Sequence, residues 1–163
     1  MVIYGPEVRE LTELTLDQTD HAILRLLSAD SRISNADLAE RVGLSASSCW
    51  RRVRTLEDAG AIRGYGAKLD DRQIGLTFQA VVQVHLTRHD PDLVRQFMEA
   101  VRTKDEVRDC YATTGHSDYH LIVKCRDLAA YNTFLEEFLF RIPAVASAQS
   151  NVVLRTIKSA GRA

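Results

Sequence analysis

The chain is 163 residues long, enough for one domain or two small ones, with 45% hydrophobic and 26% charged residues. That balance is ordinary for a globular protein and excludes a disordered, fibrous or collagen-like chain. The formal net charge is −1 at pH 7, so any affinity for nucleic acid must come from basic side chains gathered locally, not from a global excess.

The cysteines Cys49, Cys110 and Cys125 are odd in number, widely spaced and in no C-x-x-C pair. They do not form a disulfide framework and suit a reducing compartment. No apolar run approaches the roughly 18 residues that a membrane span needs. The start, MVIYGPEVRELTELT, lacks the basic head and long apolar core of a secretory signal. The expected location is the cytoplasm.

In chain order, residues 1–15 form a leader with one amphipathic turn (Val8, Leu11, Leu14), which suits a DNA-contacting arm, a dimer strap or an unimportant start. Residues 16–62 repeat apolar positions at helical spacing. Asp17 caps a first helix whose stripe is Ile23, Leu24 and Leu27. Ser34 opens a second helix, with Asp37 three residues on as a shortened capping box and Leu38, Ala39 and Val42 on its buried side. Gly43 supplies a left-handed end, and Ser45 starts a third helix that runs to Ala59 and stops at Gly60. Helix, glycine-containing turn, helix is the spacing of a helix-turn-helix, whose second helix lies in the DNA major groove.

At about 100° per residue, Ala46, Cys49, Trp50, Val53 and Leu56 gather on one side of the third helix. Ser47, Ser48, Arg51 and Thr55 lie opposite, with Arg52 and Arg54 on the flanks. Small hydroxyl residues permit close approach to base edges, and arginine suits bidentate contact with guanine. Plain solvation is the competing reading of such a face. Trp50, on the apolar side, is expected in the core or an interface, not stacked on bases.

Residues 63–76 hold Gly64, Gly66 and Gly75 among alternating residues and read as a strand and linker. Residues 77–158 then read β-α-β-β-α-β: a strand over 78–86, a helix over 91–101, strands over 107–113 and 119–125, a helix over 128–142 and a last strand over 145–157. Residues 159–163 are a tail. Two tandem βαβ halves give a ferredoxin-like sandwich, with helices on one face of the sheet. The other face, carrying Val82, Val84, Tyr111 and Val123 or their alternates, is expected to be covered by a second subunit. The fold class is therefore α+β, a winged-type helix-turn-helix followed by a ferredoxin-like domain that dimerises through its sheet. A dimer also suits a palindromic double-stranded DNA operator.

These residues resemble the Lrp/AsnC family (leucine-responsive regulator/asparagine regulator) of transcription factors over about residues 16–158. The resemblance is carried by LDQTDHAILRLLSADSRISNADLAERVGLSASSCWRRVRTLEDAGAIRGYGAKLD, EVRDCYATTGHSDYHLIVKCRD and RIPAVASAQSNVVLRTIK. It implies a sequence-specific DNA-binding regulator that dimerises through its C-terminal domain, commonly assembles to octamers, and binds an amino-acid effector between dimers. The loop Gly115-His116-Ser117-Asp118-Tyr119 matches the family's effector-site loop; Thr113 and Thr114 precede it, and Asn151 would come from a nearby subunit. An amino acid needs an acceptor for its ammonium and N–H donors for its carboxylate; Asp118 and the backbone around Gly115 are of the right kind. Gly115 and Asp118 equally fit a plain hairpin turn. His116 stands where family members vary, and Trp50 is bulky where smaller aliphatic residues are expected.

Two other chemistries were weighed. His116, His120, Cys110 and Cys125 lack the paired spacing of metal ligands, so no metal or cofactor is expected. Dimeric ferredoxin-like domains also serve as small enzymes, but no nucleophile–base constellation or phosphate-cradling loop is present in the sequence. The chain is read as non-enzymatic.

Overall fold

A computed structural model describes residues 15–87 and 90–158. The expectations for residues 1–14 and for the tail 159–163 lie outside them. The chain divides into two compact units between residues 67 and 68.

The first unit holds α1 (Gln18–Ala29), α2 (Asn35–Val42) and α3 (Ala46–Asp58). Each helix begins where a short polar side chain takes an orphan backbone N–H. Asp17 and Asp20 form a reciprocal box at the start of α1: the Asp20 N–H donates to Asp17 Oδ1 at 2.8 Å and the Asp17 N–H to Asp20 Oδ2 at 3.1 Å. Ser34 accepts from the Asp37 N–H and Ser45 from the Ser48 N–H. Gly43 ends α2 at φ +69°, a left-handed conformation that costs a residue with a Cβ. Ile23, Leu38, Ala39, Cys49 and Leu56 form one buried cluster where the three helices meet.

No strand forms among residues 61–76. The alternation there predicts one, but an extended segment becomes a strand only when a neighbouring strand pairs with it, and among the described residues none does; Ile74, Gly75 and Leu76 donate instead within a local turn.

The second unit holds β1 (Phe78–Leu86), α4 (Pro91–Arg102), β2 (Val107–Ala112), β3 (Tyr119–Cys125), α5 (Leu128–Thr133) and β4 (Val145–Val152). The strands make one antiparallel sheet in the order β2-β3-β1-β4. The expected helix over 128–142 is continuous but changes pitch: α5 passes into a π turn (Phe134–Phe138) and then a 3₁₀ turn (Leu139–Arg141). β4 stops at Val152, short of the expected 157, because β1 begins at Phe78 and has no backbone left beyond the Val153 N–H to Gln79 O bond of 2.9 Å.

The helices cover the face formed by Ala80, Val82, Val84, Leu121 and Val123, all completely buried with Phe97, Phe134 and Leu139. Val82, Val84 and Val123 therefore belong to the core and not to the open face; their alternates Val81, Gln83, His85, His120, Ile122 and Lys124 take the open side, half-exposed. Tyr111, paired with His120, stays on the open face as expected.

Asp17 is held below its ordinary carboxyl value of 3.8, first by the Asp20 N–H and then by the Arg52 guanidinium. A depressed folded value stabilises above the unfolded one and is lost as pH falls through it. Asp17→Asn should therefore lower the thermal midpoint of this unit at pH 7, and the gap from wild type should close below about pH 3.8. Unfolding followed by the emission of Trp50, the single tryptophan, measures it.

Candidate functional site

The α3 helix carries the first candidate surface. Cys49 and Leu56 point into the core and Val53 is half-buried, which turns Ser47, Arg51, Arg54 and Thr55 outward, all exposed. Ser48 is half-buried and sits in a hydroxyl cluster, with Ser45 Oγ 2.9 Å from Ser48 Oγ and 3.2 Å from Ser47 Oγ. The Thr55 hydroxyl donates to the Arg51 carbonyl at 3.0 Å. Arg51 has no ion-pair partner among the described residues. Arg54 lies 3.5 Å from Glu57 and 3.7 Å from Asp58, exposed pairs of the kind that solvent and salt weaken easily.

Arg52 behaves differently from its neighbours. Its Nη1 lies 2.7 Å from Asp17 and 2.8 Å from Asp20, so one guanidinium grips both acids of the α1 cap. Those two hydrogen bonds, Asp20's first, raise its already high pKa. The expectation that Arg52 holds phosphate is revised on this geometry: it braces α3 against α1. A second tie escaped the sequence reading, since the Asn35 side-chain amide donates to the Ala46 carbonyl at 2.8 Å and anchors the first turn of α3 to α2. An asparagine one residue past a helix cap gives no sequence signal for this.

Trp50 stands outside the core, which leaves the interface alternative. Its side chain is 60% exposed, standing at the edge of the apolar sector instead of within it. Beneath it a groove of about 240 Å³ is lined by Leu27, Ile33, Leu38 and Val53, with Tyr65 on its rim.

The second candidate surface is the turn between β2 and β3. Gly115 adopts φ +134°, which disfavours any residue with a side chain. Asp118 latches this turn to β1. The Leu86 N–H, on the β3 side of β1, donates to Asp118 Oδ2 at 2.8 Å. The Asp118 N–H donates to Val84 O at 3.0 Å, and its carbonyl accepts from the Thr113 N–H at 3.0 Å. Ser117 is buried, its Oγ 3.2 Å from Gln83 Oε1 and 3.5 Å from His85 Nε2. The rings of His85 and His116 meet edge-on at 4.9 Å, and Thr113 Oγ1 lies 3.0 Å from His120 Nδ1.

Thr113, Thr114, Gly115, His116, Ser117 and Asp118 thus share one end of the sheet, joined by Gln83, His85 and His120, which the sequence reading did not place at this site. The polar alternates of FQAVVQVHL were the available signal. Of the other two expected members, Tyr119 turns away and Asn151, expected from a nearby subunit, lies further along the open side. Tyr119 faces the helix layer, its ring 4.7 Å from Phe97, and burial raises its pKa. Asn151 pairs with Val81, four residues along β1 from His85, about 13 Å away within one chain. Among the described residues no cluster of three or more His, Cys, Asp or Glu is arranged to hold a metal ion, and no helix is long and apolar enough to cross a membrane.

Residues 79–163 match the Lrp/AsnC ligand binding domain, and residues 16–63 match a winged helix-turn-helix DNA-binding model. The chain belongs to the Lrp/AsnC family of transcriptional regulators. The leucine-responsive regulatory protein of Escherichia coli strain K12 is 39% identical over 147 residues, 90% of each chain. A Neisseria meningitidis transcriptional regulator, solved as a complex with L-Met, is 41% identical and superposes with a TM-score of 0.85 over 89% of this chain and 94% of that one. An AsnC family regulator from Agrobacterium tumefaciens is 34% identical, with a TM-score of 0.84 over 88% and 94%. As an Lrp/AsnC member the chain is a DNA-binding regulator that responds to a small ligand, and its relatives are regulators, not the small ferredoxin-like enzymes.

The Asp118 latch has a measurable weight. Asp118→Ala strands the Leu86 N–H in a half-buried place and should cost about 1–3 kcal/mol of stability, read as a lowered midpoint in urea.

Proposed function

We propose that this chain is a sequence-specific regulator whose α3 enters the major groove, with Ser47, Ser48, Arg51 and Thr55 reading base edges and Arg54 holding phosphate. One observation carries the reading: Leu56 and Cys49 are buried while Ser47, Arg51, Arg54 and Thr55 on the same helix are exposed. Arg54 exchanges two weak carboxylate contacts on its own helix for a phosphate, a partner that releases counterions when bound. Arg51→Ala should weaken and broaden operator recognition by about 1–3 kcal/mol, whereas Arg54→Ala should weaken binding to all sequences and flatten its salt dependence by about one unit of slope. Gel shifts across a salt series on DNA from upstream of the gene separate the two. An Arg51→Ala protein with unchanged affinity and preference would remove α3 from the groove.

The effector is an amino acid taken at the Thr113–Asp118 loop, where Gly115 lets a ligand carboxylate approach backbone donors and Asp118 accepts from its ammonium. The L-Met complex of the Neisseria relative and the leucine-responsive naming of the Escherichia relative support the class. His116 and His85, ring against ring beside that loop, are placed to select the side chain. A second copy covers the half-exposed Val81, Ile122 and Tyr111 to make a homodimer, and dimers assemble further, with octamer as the expected form and Asn151 contributed from a neighbouring copy. The ligand acts by binding two arrangements of these copies unequally. Asp118→Asn keeps an acceptor for the Leu86 N–H but removes the charge, so it should fold and bind DNA as wild type yet lose the thermal shift that an amino-acid screen produces. A full ligand response in that variant would place the effector elsewhere.

A further inference from the structure

Trp50 sits where neither the core nor the base-reading face accounts for it. On the α3 wheel it lies beside Ser47, three residues before, and Arg54, four residues after, which makes it their direct surface neighbour. Its ring is 60% exposed, and its indole N–H has no acceptor among the described residues. The ring lines one groove together with Leu27, Ile33, Leu38 and Val53. A single exposed apolar ring is ordinary on a protein surface, but this one flanks the outward strip of α3, where a partner seated on that strip would cover it.

The width of the helix says what covers it. An α-helix with side chains is about 10–12 Å across and the major groove about 12 Å wide, so the flanks of a seated helix must meet the groove walls. One flank of α3 is closed by Arg52 gripping Asp17 and Asp20. Trp50 occupies the other. We propose that Trp50 is a DNA-contacting residue that packs its indole on the deoxyribose wall of the major groove and donates its N–H to a phosphate oxygen. The inference rests on α3 entering the groove. It assigns to this contact an apolar share of affinity that releases no counterion, so salt does not remove it.

The single tryptophan makes the contact visible. Titrating the full chain with duplex DNA from upstream of its gene should shift Trp50 emission to shorter wavelength and shield it from acrylamide, saturating with the gel shift. Trp50→Ala should weaken binding about tenfold at every salt concentration with the slope unchanged, and Trp50→Phe should recover most of that loss. Thermal unfolding, followed by ellipticity, should be near wild type in both variants, since the ring is mostly exposed. If the wild-type chain binds DNA while Trp50 emission and quenching stay unmoved, or while Trp50→Ala binds as wild type, this contact does not exist although α3 still reads DNA. If the wild-type chain shifts no DNA, or Arg51→Ala and Arg54→Ala change nothing, the reading of α3 fails first and this contact with it.

Discussion

Arg52 reaches from the middle of α3 to the two acids that open α1, and this brace decides which side of α3 remains for a partner. With Cys49 and Leu56 buried and Arg52 tied about 40–60° around the helix from them, the helix has little freedom to roll about its axis. Asp17 and Asp20 already accept each other's backbone N–H groups, so one cluster of charge starts α1, fixes α3 and neutralises one of its arginines. What remains outward is a strip with serines at its start and Arg51 and Arg54 further along. The net charge of −1 conceals it.

The second unit divides its labour between the two faces of one sheet. The helix side is a dry core of completely buried residues, and the open side is a half-exposed band of Val81, Gln83, His85, His120 and Ile122. The end of β1 ties this sheet to the candidate effector loop. Because the Leu86 N–H donates to Asp118 and the Asp118 N–H to Val84 O, the position of the turn depends on the geometry of β1. A ligand gripping Asp118 would therefore act on β1 as well as on the loop.

Capping residues and turn glycines were the legible part of the sequence, because their chemistry is local. Asp17, Ser34, Gly43 and Ser45 each act on a backbone group within a few residues. The order of elements along the chain and the fold class were legible from periodicity. The facing of β1 was not, since Val81 and Val82 are adjacent and either parity supplies an apolar stripe. Arg52 was misjudged because its partners lie more than thirty residues away and a helical wheel contains only its own helix. Between the core and an interface for Trp50 the wheel does not decide, because it gives direction but not depth, and at the margin of a sector a large ring extends past the core. Tyr119 was assigned to the loop by resemblance, whereas strand alternation turns it toward Phe97.

The change of pitch after α5 has an arithmetic consequence. A π turn accommodates one residue more than an α turn in the same span, and here it leaves the Glu136 carbonyl to accept from the Arg141 side chain at 3.2 Å. Each residue of a helix turns the chain by about 100°. Removing one residue between 134 and 138 would let the segment rewind as ordinary helix and swing Leu139 and Ile142 away from the buried places they hold. The wide turn thus acts as a spacer, a single residue that keeps the two ends of this helix in phase with the same core.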